Sequence, residues 1–294
     1  MFVTKSVELL AVTLVMTATT FVSSIAPIKL FTLSSTSLTY LTVFSIGMLV
    51  GTALLIVLPE GIELLNEVKY NLTSFTVGLP ILVGFVLMFT IDKVISRKDE
   101  VSYTTPETTS SFHQAKVAST LNSVLQSSIT LGLLVHAGVD GISLGSSFAD
   151  EDSTLQFVMV IALIVHKIPT AFSLGTILSK EGLEDKLVLV HLVLFAVMTP
   201  VMTWITFTIL GLFNTSIQLL TGELLLFSSG TFLYVVFHVI NEFEDSLFEE
   251  NSSSAGGSSG SESNTFVDEQ TKKKNVFVGI VGLVIPLLLS LVKE

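Results

Sequence analysis

Eight stretches of predominantly apolar residues, each long enough to cross a bilayer, constrain this chain more than any other feature. They run roughly over 7–27, 38–59, 76–92, 122–148, 154–179, 187–212, 221–240 and 276–292. A hydrocarbon core offers no water to backbone N–H and C=O groups, so segments of this length satisfy themselves as helices. The pattern predicts an all-α membrane protein, a single polytopic domain over 1–294 with eight transmembrane helices, here spans one to eight. Composition agrees, because 13% of the residues are charged, about half the proportion usual in soluble domains. Span one has a signal-peptide feature, Lys5 ahead of an apolar run. The run is too long for an h-region and lacks a clear small-x-small site, so it is read as retained.

Eight crossings put both termini on one side. With that side outside or lumenal, the inner loops hold Lys29, Lys93, Arg97, Lys98, Lys116, Lys180, Lys186 and Lys272 to Lys274, while the outer side holds Lys5, Lys69 and Lys293. This follows the positive-inside rule. Sequons at Asn71 and Asn214 then face outward, where glycosylation is expected, and the sequon at Asn251 faces inward. Two long cytoplasmic loops are predicted, 93–121 and 241–275, the second containing a flexible Ser/Gly-rich linker from Ser252 to Ser261. A net charge of −11 argues against a nucleic-acid partner. The absence of cysteine removes disulfides and thiolate ligands.

Within this apolar frame a few ionisable residues stand out. His136 and Asp140 lie four residues apart in span four and share a helix face; His166 and Lys167 lie near the middle of span five. A charge at bilayer depth costs about 2.5–3.5 kcal/mol on insertion scales, and such residues usually mark function. Adjacent spans run antiparallel, so the two imidazoles are expected to meet near the midplane beside Asp140. Imidazole plus carboxylate is a ligand set for a divalent metal. A structural role, with hydrogen-bonded histidines and a neutralising Asp140–Lys167 pair, is the plainer alternative. Lys167 itself has two readings: it neutralises Asp140 in place of a second ion, or it points away and snorkels. Pro169 cannot donate to the Val165 carbonyl, and the expectation is a broken helix beside His166. Small-residue stripes, Ala137, Gly141 and Gly145 on span four and Ala171 and Gly175 on span five, predict close helix packing.

Polar residues mark both ends of a route. Glu60, Glu63 and the run Asp150 to Asp152 lie on the outer side; His191, His238, Glu242, Glu244 and Asp245 lie on the inner side. Glu60 and His238 fall at or just within predicted span ends.

Taken together, these segments resemble the ZIP (Zrt/Irt-like) family of divalent metal transporters. The span-four motif of that family, His-Asn-x-x-Asp/Glu-Gly, is matched by His136-Ala137-Gly138-Val139-Asp140-Gly141, and its span-five motif, His-Glu-x-Pro-His, by His166-Lys167-Ile168-Pro169-Thr170. Leu58-Pro59-Glu60 and Gly230 to Val235 match the end of span two and span seven. The resemblance implies eight spans, outer or lumenal termini, and metal ligands on spans four and five. Ala137, Lys167 and Thr170 replace residues of the usual binuclear centre, so only His136, Asp140 and His166 carry over as ligands. Lys167 with His238 is similar to the Golgi-type branch, which implies zinc or manganese handling in secretory membranes.

The reading is therefore a transporter, not an enzyme, that moves Zn²⁺ and/or Mn²⁺ as substrate from lumen or exterior to cytoplasm. Its Golgi location places it in secretory-pathway metal homeostasis, with the plasma membrane as the alternative. Metal would enter past Glu60, bind His136, Asp140 and His166, and leave past His238 and Glu242. The rivals are a zinc-dependent intramembrane hydrolase, with the same ligands holding an open water position, and a transport-inactive receptor or scaffold. Membrane lipid is the expected surrounding partner, and a homodimer stays open.

Overall fold

The computed structural model describes residues 2–30, 34–67, 72–99, 124, 127–149, 153–213, 218–254 and 263–293. Among them every regular element is helical, and eight helices are long and apolar enough to cross a membrane: Thr4–Leu30, Thr36–Asn66, Ser74–Val94, Ser128–Ala149, Met159–Lys180, Asp185–Phe213, Thr221–Asn241 and Lys273–Leu291. These are spans one to eight, in the expected number and order, and the chain is a multi-pass membrane protein. Spans four and five are the most buried, with 72% and 67% of their apolar windows inside the protein, against 11% for spans three and eight. The two inner spans are those that carry His136 and His166.

Packing follows the small-residue stripes. A Cβ on Gly141 would fall 2.5 Å from the Thr199 carbonyl oxygen, and one on Gly145 would fall 2.5 Å from that of Thr203, so span six lies directly on that face of span four. Thr199 Oγ1 donates to the Ala137 carbonyl across the same seam (2.8 Å). A Cβ on Gly175 would likewise run into the Ser24 carbonyl oxygen of span one. Gly230 brings span seven onto span three, where an added Cβ would sit 2.0 Å from the Ile81 carbonyl oxygen. Two backbones must separate to admit that atom. Gly230→Ala is expected to lower stability by about 1–3 kcal/mol, read as a drop in the thermal unfolding midpoint of the solubilised protein; an unchanged midpoint would refute this packing.

Three boundaries differ from the sequence reading. Span two does not stop at residue 59. Its helix Ser35–Thr52 passes through a π turn, Ala53–Val57, into a further helix, Leu58–Glu67. In the wide turn the Leu58 N–H reaches back to the Ala53 carbonyl. It sits immediately ahead of Pro59, whose ring and missing N–H disfavour a regular α turn. Span five, in contrast, is not broken at Pro169; one helix, Ser153–Lys180, runs through it. A proline removes a single helix bond, and a membrane-spanning helix tolerates that loss among packed neighbours. Finally, the segment 241–275 is helical through Ser254 and again from Ser263. Its acidic first half carries Glu242, Glu244, Leu247, Glu249 and Glu250, which are good helix formers, and the helix also takes in Ser252 to Ser254. The sequons Asn71 and Asn214, the run Asp150 to Asp152, and most of the loop 93–121 lie outside the described residues.

Candidate metal centre

Two apolar clusters leave a polar layer between them. One includes Val57, Ala137, Ala171 and Phe232; the other includes Leu64, Leu144, Leu163 and Leu225. Each of spans two, four, five and seven contributes to both clusters, and between those contributions each places a polar residue: Glu60, Asp140, His166 with Lys167, and Ser228. Glu60, Asp140, His136, His166, Lys167 and Ser228 are all at most 2% exposed.

Asp140 is the hub. Its Oδ2 lies 3.5 Å from His136 Nε2, 3.2 Å from His166 Nε2 and 3.3 Å from Lys167 Nζ. One ligand atom from each of His136, Asp140 and His166 falls within 4.8 Å of the others. A tetrahedral zinc with bonds of 2.0–2.2 Å to nitrogen and oxygen holds its ligands about 3.3 Å apart, so the two edges at Asp140 already have the separation a metal needs. Were all three to bind one ion, a tetrahedral geometry would leave a fourth position open. His136 stacks on Phe232, with ring centroids 4.7 Å apart.

With this geometry in place, the family model described as ZIP zinc transporter matches residues 3–128 and 99–289, nearly the whole chain. The chain belongs to the ZIP zinc transporter family. Relatives include zinc transporter ZIP9-A of Xenopus laevis, 31% identical and aligned over 98% of this chain and 97% of its own. Zinc transporter ZIP9 of Micropogonias undulatus is 30% identical over 87% of this chain and 89% of its own. The resemblance to the Golgi-type branch agrees with these ZIP9 relatives. Family membership makes this protein a divalent metal transporter with zinc as substrate and removes the hydrolase reading.

In this ZIP transporter Lys167 does not snorkel. It is buried against Asp140, and its ammonium also lies 5.1 Å from the centroid of the Phe195 ring. Glu60 is displaced from its expected position as well. Because span two continues past it, Glu60 is no outer-end residue but lies inside the polar layer, with Oε2 3.9 Å from His166 Nδ1. Glu63, one turn on, is exposed.

The inner-side histidines stay apart from the centre. His191 is fully buried and hydrogen-bonded through Nδ1 to Thr130 Oγ1 (2.7 Å). His238 stacks on Tyr234 and lies 3.8 Å from Asp92 Oδ2. Asp92, which the sequence reading did not single out, is buried and accepts hydrogen bonds from Tyr234 (2.6 Å) and Ser128. Ser128 opens span four, so Asp92 ties span three to spans four and seven. The Glu242 side chain lies outside the described residues. Ser228 and Phe232 were missed at the centre itself; their depth in span seven, level with the span-four and span-five motifs, was the available signal.

Proposed function

We propose that this protein carries Zn²⁺, with Mn²⁺ as a second substrate, through a single site formed by His136, Asp140 and His166. The observation that carries this reading is the approach of both imidazole Nε2 atoms to one oxygen of Asp140, at 3.5 and 3.2 Å, in a layer otherwise sealed by apolar residues. Lys167 supplies the positive charge that a second ion would otherwise bring to Asp140, leaving one exchangeable metal. Glu60 borders the site as its acidic neighbour, and His238 and Glu242 lie on the route to the cytoplasm. The layer is closed at both ends, so passage requires the ends to open in turn. Transport runs from lumen or exterior inward, in a Golgi membrane; the family resemblance supports the direction and the branch resemblance the compartment.

The test is uptake of ⁶⁵Zn and ⁵⁴Mn into proteoliposomes of fixed orientation. Wild type is expected to show saturable flux of zinc, with manganese competing, and His136→Ala to lose at least about 100-fold. Loss of a ligand should exceed the 10- to 100-fold effect typical of outer-shell changes. Undiminished flux in folded His136→Ala would remove this site from the pathway. No flux in wild type would favour the receptor reading.

A further inference from the structure

We infer that Ser228 is a positioning residue that fixes the tautomer of His136 and the orientation of Asp140. The inference rests on the metal-site reading above and adds a residue from span seven. Ser228 Oγ lies 2.6 Å from His136 Nδ1 and 3.3 Å from Asp140 Oδ1. A serine hydroxyl has one hydrogen to give and lone pairs to receive, whereas a carboxylate only accepts. One arrangement satisfies both contacts: Ser228 donates to Asp140 Oδ1, and His136 Nδ1–H donates to Ser228. The His136 proton is then on Nδ1, and Nε2 presents its lone pair to Asp140 Oδ2 at 3.5 Å.

Two acceptors then face each other across that gap, and His136 Nε2 has no hydrogen-bond partner among the described residues although it is fully buried. An apolar environment makes such a confrontation costly unless a cation sits between the two atoms. The same hydroxyl ties down Oδ1, leaving Oδ2 as the oxygen that meets His136, His166 and Lys167. Metal-bound histidines commonly donate their second ring N–H to an oxygen that fixes their orientation. Here that oxygen belongs to a neighbouring span, so the site is aimed by span seven and built by spans four and five. Ser229, adjacent and equally buried, has a hydroxyl with no hydrogen-bond partner among the described residues and serves as the control.

The experiment uses the full chain, labelled with ¹⁵N-histidine, metal-free in lipid nanodiscs. Imidazole ¹⁵N spectra are assigned to His136 by their loss in His136→Ala, and Zn²⁺ is then titrated. Wild type, Ser229→Ala and Ser228→Thr are expected to show His136 protonated at Nδ1 and to bind Zn²⁺ alike. Ser228→Ala is expected to move the proton to Nε2 and weaken Zn²⁺ binding 10- to 100-fold. Retention of the Nδ1–H signature in Ser228→Ala, or loss of binding without rescue by Ser228→Thr, overturns the inference. A wild type that binds no Zn²⁺, while Ser228→Ala still moves the proton, sinks the metal reading and leaves the tautomer assignment standing.

Discussion

Asp140→Ala is expected to destabilise the protein by about 3–5 kcal/mol, the usual effect of removing one partner from a buried ion pair. The substitution removes the carboxylate beside the Lys167 ammonium, whose side chain is buried and which lies 5.1 Å from the centroid of the Phe195 ring. Adding Lys167→Met removes the orphaned charge, and the double variant should recover most of the lost stability, because the two sites share one interaction. It should not recover metal binding, since Asp140 is also the hub of the three ligands. Thermal unfolding of the single and double variants, paired with Zn²⁺ titration, measures both effects. A single variant as stable as wild type would show that Lys167 has another counterion.

Lys167→Glu is expected to change how many ions the protein holds. Wild type should carry one Zn²⁺ per chain at saturation and Lys167→Glu two, as counted by elemental analysis of the purified protein. The reversal places a carboxylate beside Asp140, and two like charges 4 Å apart repel by about 4 kcal/mol at an effective dielectric of 20. A second divalent ion would relieve that repulsion. Chelation should therefore lower the unfolding midpoint of Lys167→Glu far more than that of wild type. One ion per chain in both proteins would refute the idea that Lys167 stands in for a metal.

The number and order of spans were legible because bilayer thickness fixes the length of each apolar run, and apolar residues supply nearly all of it. His136, Asp140 and His166 were legible because imidazole and carboxylate at mid-span are too costly to be incidental. The rest of the centre was harder to see. Serine in a membrane helix usually bonds its own backbone, as Ser146 and Ser147 do about two turns past Asp140. Nothing in residue type separates Ser228 from them; depth alone does. Glu60 was placed at a span end because the apolar run closes at residue 59, whereas the helix carries Pro59 past a wider turn and continues. Proline chemistry alone predicted a break at Pro169, where the helix runs on. Lys167 could not be oriented from sequence because both of its readings met the cost of a buried charge equally well.

The π turn at Ala53–Val57 has a consequence beyond its own five residues. Such a turn holds one residue more than an α-helix would use over the same length, and in an α-helix each residue advances the face by about 100°. Everything after the turn is therefore rotated by a fixed step relative to the helix before it. The residue that faces His166 is thus chosen by a count as much as by its chemistry. Were the same residues wound as unbroken α-helix, Glu60 would turn by about 100° out of the polar layer with its own sequence intact; deleting one residue from 53–57, such as the exposed Leu54, should instead let the turn close to α and leave Glu60 facing His166. In span two, which side chain stands beside His166 is written in the winding of the helix as well as in its sequence.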